Sequence, residues 1–183
     1  AMSSPLANSS PISLAVIIAA AGSSRRYNAS TTDGGAARSK LDEDLGGRPV
    51  LQRTVELFSN IPCVSRIIVA GPADPAAMAE FKGKYADKLS LLGVTICPGG
   101  IEHRYQTVQN ALAHVPATCT HVAVHDAARP CCPTELIDRL LEAAEQFPAV
   151  IPGVPVPDTL KRVAASDVQN AKADPLAAIL GAA

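Results

Sequence analysis

The sequence predicts an α/β protein built on an open, mostly parallel sheet with helices on both faces. Short apolar runs of strand length alternate with stretches whose apolar residues recur at helical spacing. Three of the runs stop at glycine or proline, and the first is apolar throughout, as a strand covered on both faces should be.

The elements follow in order. Leu14-Ala15-Val16-Ile17-Ile18-Ala19 is the first strand, ending in Ala20-Ala21-Gly22 and a polar, glycine-containing loop that reaches about Lys40. Leu51, Val55 and Phe58 then mark a helix, with Pro49 suited to its first turn. Arg66-Ile67-Ile68-Val69-Ala70 is a second strand stopped by Gly71-Pro72, and a helix over roughly Pro75 to Leu89 follows. Val94-Thr95-Ile96-Cys97 is a short third strand closed by Pro98-Gly99-Gly100. Tyr105, Val108, Ala111, Leu112 and Val115 define one face of the next helix. His121-Val122-Ala123-Val124 is a fourth strand, and Leu136, Ile137, Leu140, Leu141 and Ala144 line the helix after it. Ala149-Val150-Ile151 and Val154-Pro155-Val156 read as a further strand with a bend.

Composition narrows the function classes. Sixteen Lys+Arg against seventeen Asp+Glu give a net charge of -1, which argues against wrapping nucleic acid or adhering to an anionic membrane. Aromatics are 3% with no Trp, so a base-stacking platform is disfavoured. With 48% hydrophobic residues, 32 of the chain's residues being alanine, the core is built from small and aliphatic side chains. No apolar run has the length of a membrane span. The five cysteines, Cys63, Cys97, Cys119, Cys131 and Cys132, are odd in number and lack CxxC spacing; they read as reduced thiols in a cytoplasmic protein, with Cys131-Cys132 as small buried hydrophobes. Residues 1–11 are expected to be a disordered leader and 12–183 a single domain.

In open parallel sheets ligands bind at the carboxyl ends of the strands, so the polar residues after each strand carry the chemistry. Between Gly22 and Lys40 the cations Arg25, Arg26, Arg38 and Lys40 face Asp33 alone. Small residues let a backbone approach a ligand, and a local excess of cations suits a polyphosphate; the competing reading is a solvated basic loop. The spacing is neither a dinucleotide fingerprint nor a Walker loop. Gly99-Gly100 lies between a strand and a helix that opens with Arg104 and Thr107, where glycine backbone groups could bond a base edge. His125-Asp126-Ala127-Ala128-Arg129-Pro130 puts a carboxylate at a strand end, suited to a divalent metal or a hydroxyl-bearing substrate, or to a structural Asp126–Arg129 pair.

Together these three sets resemble the 2-C-methyl-D-erythritol 4-phosphate cytidylyltransferase family, and Pro155-Val156-Pro157-Asp158-Thr159-Leu160-Lys161-Arg162 is similar to its next signature. The resemblance runs from about Leu14 to Val163. It implies a Rossmann-like nucleotidyltransferase fold that uses CTP and Mg²⁺ and transfers CMP to a sugar-alcohol phosphate with release of pyrophosphate. Carried over by position, Arg26 and Lys40 would stabilise charge on the α-phosphoryl group. Ala20, Ala21, Gly22, Ser23, Ser24 and Arg25 would cradle the triphosphate, while Gly99, Gly100, Arg104 and Thr107 would face the cytosine. Asp126 and Ala127 would lie near ribose, with Asp126 also near the metal. Asp126, Arg129, Thr159, Lys161 and Lys172 would serve the acceptor, in a pocket completed by the partner of a homodimer.

The sequence also departs from the pattern. Ser24 stands at the family's second loop glycine, Tyr27 at the usual Met, and Ser39-Lys40-Leu41 where the family has Pro-Lys-Gln. No Thr-Pro-Gln segment occurs between Val163 and Ala183, so a dimerisation arm expected after about 160 reads as missing or shortened. Two alternatives follow: a cytidylyltransferase for another polyol phosphate such as ribitol 5-phosphate, and a catalytically weak nucleotide-binding homologue.

Overall fold

Four parallel strands form one sheet in the order β3-β2-β1-β4: β1 (Leu14–Ala19), β2 (Val64–Gly71), β3 (Val94–Pro98) and β4 (His121–Asp126). Between and after them lie α1 (Val50–Ser59), α2 (Pro75–Ser90), α3 (Arg104–Leu112) and α4 (Thr134–Ala144). These elements come from a computed structural model that describes residues 11–22, 27 and 39–159. They all belong to the first of two compact units, Ala1–Val150; the second is Ile151–Ala183, whose described residues 151–159 carry no helix or strand.

The strand order follows from right-handed crossovers. A chain that steps β1→β2→β3 lays its helices on one face, and a chain that returns past β1 to reach β4 lays its helix on the other. The packing agrees. Val16 and Ile18 of β1 join one cluster with Leu51, Val55 and Phe58 of α1, Phe81, Tyr85 and Leu89 of α2, and Ile137 of α4. Ile17, one residue out of phase, joins a second cluster with Ile68, Ala70, Cys97 and Ala111 of α3. β1 is therefore sandwiched, and Ala15 through Ile18 are fully buried. That burial on both sides is what the uninterrupted apolar run required.

Local signals set the helix boundaries. The Asp74 carboxylate accepts from the Ala77 N–H at 2.8 Å, and Pro75 occupies the first turn of α2, where a missing N–H costs nothing. Pro49 likewise precedes α1. Among the described residues no helix is long and apolar enough to cross a membrane.

Three expectations are corrected. Residues 149–156 form no strand: Pro152 and Pro155 remove two backbone donors from the segment, and Pro148 and Pro157 flank it. On α3, Tyr105 and Leu112 are exposed, and the inward stripe instead runs through Thr107, Val108, Ala111 and Val115. A polar residue takes the central position because its hydroxyl has a backbone partner there. All five cysteines are free, but of the pair Cys131 is exposed, while Cys132 is half-buried and packs against the main core.

Candidate active site

The strand order reverses at β1, the switch point at which open α/β sheets form a ligand crevice. Ala19, the last residue of β1, is in register with Asp126 on one side and Ala70 on the other. Ala20 continues inward, buried, with its N–H donating to the Ala70 carbonyl at 2.8 Å, and by Gly22 the backbone is exposed. The Gly99 N–H donates to the Gly71 carbonyl at 2.8 Å, which brings the turn after β3 alongside the same edge.

That turn is fixed by backbone packing. A Cβ on Gly99 would lie 2.6 Å from the Ala21 Cβ and 2.7 Å from the Gly71 carbonyl oxygen; one on Gly100 would lie 2.8 Å from the Thr107 nitrogen. Both positions need glycine because no side chain fits there. The Gly100 N–H donates to the buried Thr107 Oγ1 at 2.9 Å, and Asn110 Nδ2 donates to the Gly99 carbonyl at 2.9 Å. Gln106 Oε1 accepts from the N–H groups of Glu102 and His103, each at 3.1 Å, which closes the start of α3. His103 is exposed and stacks on Tyr105.

The facing wall is held by charge. Asp126 Oδ1 accepts from Arg104 Nη2 at 2.7 Å and Oδ2 from Arg129 Nε at 2.9 Å. Partial burial pushes the Asp126 carboxyl up, but the two guanidinium groups more than offset it and hold the group below the ordinary carboxylate value. The turn beneath is braced from α1. Fully buried Thr54 Oγ1 lies 2.8 Å from the Ala127 carbonyl and 3.0 Å from its own helix's Val50 carbonyl, one hydroxyl proton shared between two acceptors. His125 Nε2 lies 3.0 Å from the Arg129 carbonyl, and its ring meets the Phe58 ring edge-on.

Lys40 sits in a turn closed by the Asp42 N–H donating to the Ser39 carbonyl at 2.9 Å. Lys40 is exposed, while Leu41 is buried in the first cluster. The structure thus brings Ala20, Ala21, Gly99, Gly100, Thr107, Asp126 and Ala127 to one end of the sheet, with Arg104 and Arg129 joined through Asp126. Thr159 falls in the second unit. Ser23, Ser24, Arg25, Arg26, Lys161 and Lys172 lie outside the described residues.

Sequence reasoning passed over Thr54, Gln106 and Asn110. Thr54 had a signal: it is a polar residue inside the apolar spacing Leu51, Val55, Phe58.

Chemically the site offers one carboxylate with two guanidinium groups, and among the described residues no group of three His, Cys, Asp or Glu could hold a metal. Magnesium characteristically takes one or two carboxylates and completes its shell with water and substrate phosphates. Asp126 fits such an ion, provided the ion arrives with a polyphosphate.

A family model described as IspD: 2-C-methyl-D-erythritol 4-phosphate cytidylyltransferase matches residues 14–174. A 2-C-methyl-D-erythritol 4-phosphate cytidylyltransferase of Symbiobacterium thermophilum is 39% identical over 89% of this chain and 63% of its own length. A bifunctional enzyme IspD/IspF of Desulfotalea psychrophila is 38% identical over 81% of this chain and 36% of its own. In fold, the chain is similar to the crystal structure of a 4-diphosphocytidyl-2C-methyl-D-erythritol synthase from Anaerococcus prevotii, with a TM-score of 0.65 at 22% identity over 85% of this chain and 60% of that one. The chain thus spans between about one third and two thirds of the length of these relatives. On the family match and these identities, the chain belongs to the 2-C-methyl-D-erythritol 4-phosphate cytidylyltransferase family.

Proposed function

We propose that this chain transfers CMP from CTP to 2-C-methyl-D-erythritol 4-phosphate and releases pyrophosphate. The observation that supports it best is the Asp126 carboxylate held by Arg104 and Arg129 at the end of β4, beside the end of β1. In the reaction an acceptor phosphate oxygen attacks the α-phosphorus of CTP, and the bond to the β-phosphate oxygen breaks. Such a transfer needs positioned cations and oriented donors more than a covalent nucleophile.

The chain's residues divide that work. The backbone from Ala20 to Gly22, continuing through Ser23, Ser24 and Arg25, receives the triphosphate where small residues allow close approach. Arg26 and Lys40 stabilise charge on the α-phosphoryl group. Gly99 and Gly100 present a rigid edge to the cytosine, and Thr107 holds that edge. Asp126 accepts from ribose hydroxyls, and Arg129 donates to an acceptor oxygen. Arg104, on leaving Asp126, joins the base edge. Asp126, together with the substrate phosphates, would hold a magnesium ion, which would supply neutralisation of the phosphate charge. Thr159, Lys161 and Lys172 serve the acceptor phosphate in a pocket shared with the second subunit of a homodimer, in the cytoplasm.

Pyrophosphate release with each of the four nucleoside triphosphates, with and without methylerythritol phosphate, tests the reading. Release that requires CTP and methylerythritol phosphate together supports it. Release only with ribitol 5-phosphate would move the acceptor, and CTP binding without any release would make the protein a nucleotide-binding homologue. Lys40→Ala is expected to lower turnover by about a hundredfold or more while CTP binding stays measurable by calorimetry; an unchanged rate removes Lys40 from its role.

A further inference from the structure

Lys40 lies on a turn whose C-terminal half, Leu41-Asp42, is anchored in two ways. Leu41 is buried in the main core, and its carbonyl accepts from the Leu51 N–H at 3.3 Å. Beside it, the Asp42 carboxylate reaches α2, more than forty positions on in the chain. There Tyr85 Oη donates to Asp42 Oδ1, and Lys84 Nζ lies 3.1 Å from Asp42 Oδ2. Glu80, one turn earlier, holds the same ammonium at 2.9 Å.

The ring of Tyr85 is buried beside Phe81 in the core, so its hydroxyl is a donor fixed in place by packing. Burial first, and then the hydrogen bond to Asp42, push the phenol far above its ordinary value, so it keeps its proton at any working pH. An exposed salt bridge alone contributes little to stability, typically less than about 1 kcal/mol. A buried phenol that donates to a carboxylate two residues from Lys40 has a further use, because it fixes the direction in which the turn presents its lysine.

We infer that Tyr85 and Lys84 of α2 are positioning residues for Lys40, acting through Asp42 as a latch on the turn Ser39–Asp42. The inference rests on the proposed role of Lys40 at the α-phosphoryl group. The latch touches no substrate. It holds a cation where charge develops, and a displacement of about 1 Å at such a point can lower a rate by up to about a hundredfold.

Asp42→Ala removes both contacts at a position that is over a third exposed, so it leaves core packing in place. Its expected effect is a fall in kcat of about tenfold with KM for CTP changed less than about twofold, since the displaced group acts in the transition state. Tyr85→Phe, a second variant that keeps the ring, should give a smaller loss of the same kind. Asp42→Asn, which keeps an acceptor for Tyr85, should recover most of the rate. In a Lys40→Ala background Asp42→Ala should have no further effect, because the residue it positions is gone. Amide exchange at positions 41 and 42 should quicken in Tyr85→Phe. Parental kcat in Asp42→Ala while Lys40→Ala is impaired would overturn the latch and leave the role of Lys40 intact. An equal fold loss in both backgrounds would also overturn the latch, since it marks a general structural effect. A parental rate in Lys40→Ala would overturn both readings together.

Discussion

The two walls at the end of the sheet are built on different physics. The turn Pro98–Thr107 is fixed by shape: glycines packed against backbone, a threonine hydroxyl under Gly100, an asparagine amide on the Gly99 carbonyl. The turn His125–Pro130 is fixed beneath by a buried hydroxyl, but at its tip by a carboxylate between two arginines that are themselves more than half exposed. The backbone of a wall made by shape does not change when a ligand arrives. A tip made by exposed ion pairs exchanges partners readily, because surface pairs are weak and compete with any incoming anion or cation. The first wall suits recognition of a flat, neutral base. The second suits charge that enters, reacts and leaves.

The largest expected effect is on the rigid wall. Gly99→Ala would place a methyl within 2.7 Å of both the Ala21 Cβ and the Gly71 carbonyl, and neither can yield without moving a strand end. Overpacking of this kind costs about 3 kcal/mol, read as a lower midpoint in urea unfolding. Because Ala21 belongs to the segment proposed to cradle the triphosphate, CTP affinity should fall as well. A stable variant with parental CTP affinity would show that the wall has slack.

Much of this was legible in the sequence, and the limits have physical causes. β1 was readable because a strand sandwiched on both sides has no polar residues to confuse its period, and α2 was readable because Asp74-Pro75 marks its start and Met78, Phe81, Tyr85 and Leu89 its buried stripe. The glycines and the Asp126–Arg129 pair were visible as loop chemistry. The resemblance puts Arg104 near the cytosine; its contact with Asp126, across a separation of 22 residues, is one that no local pattern encodes. The reach of Tyr85 to Asp42 was hidden for the same reason. The strand expected at 149–156 does not form although the segment is apolar, since Val154 and Val156 flank a proline that cannot donate to a ladder.

A smaller effect should come from the brace beneath the charged wall. Thr54→Val keeps the shape of the side chain and its burial but removes the hydroxyl shared by the Ala127 and Val50 carbonyls. A buried acceptor left without its donor costs about 1–2 kcal/mol, again read by urea unfolding. The Ala127 carbonyl stands one residue from Asp126, so KM for CTP should rise along with the loss of stability. Were stability to fall with KM unchanged, the brace would serve the fold and not the carboxylate.

The smallest effect, and the one that separates the two walls most directly, is the pH and salt dependence of Asp126. Its carboxyl titrates below the ordinary value of 3.8 because Arg104 and Arg129 more than offset the upward push of partial burial. A carboxyl with a lowered folded-state pKa contributes stability that is fully present above its unfolded value and is lost as pH falls through the folded one. The group is 42% exposed, so solvent screens the pairs and the contribution is small. Asp126→Asn should therefore lower Tm slightly at pH 7. The gap from the parent should begin to narrow as pH drops below 3.8 and close once the folded-state carboxyl is protonated. Raising the salt concentration at pH 7 should narrow the same gap, since exposed pairs are screened over about 10 Å at 0.1 M. Gly99→Ala should show neither dependence, because steric overlap does not titrate. A Tm gap for Asp126→Asn that stays constant across both scans would mean that the tip of the second wall is also held by shape.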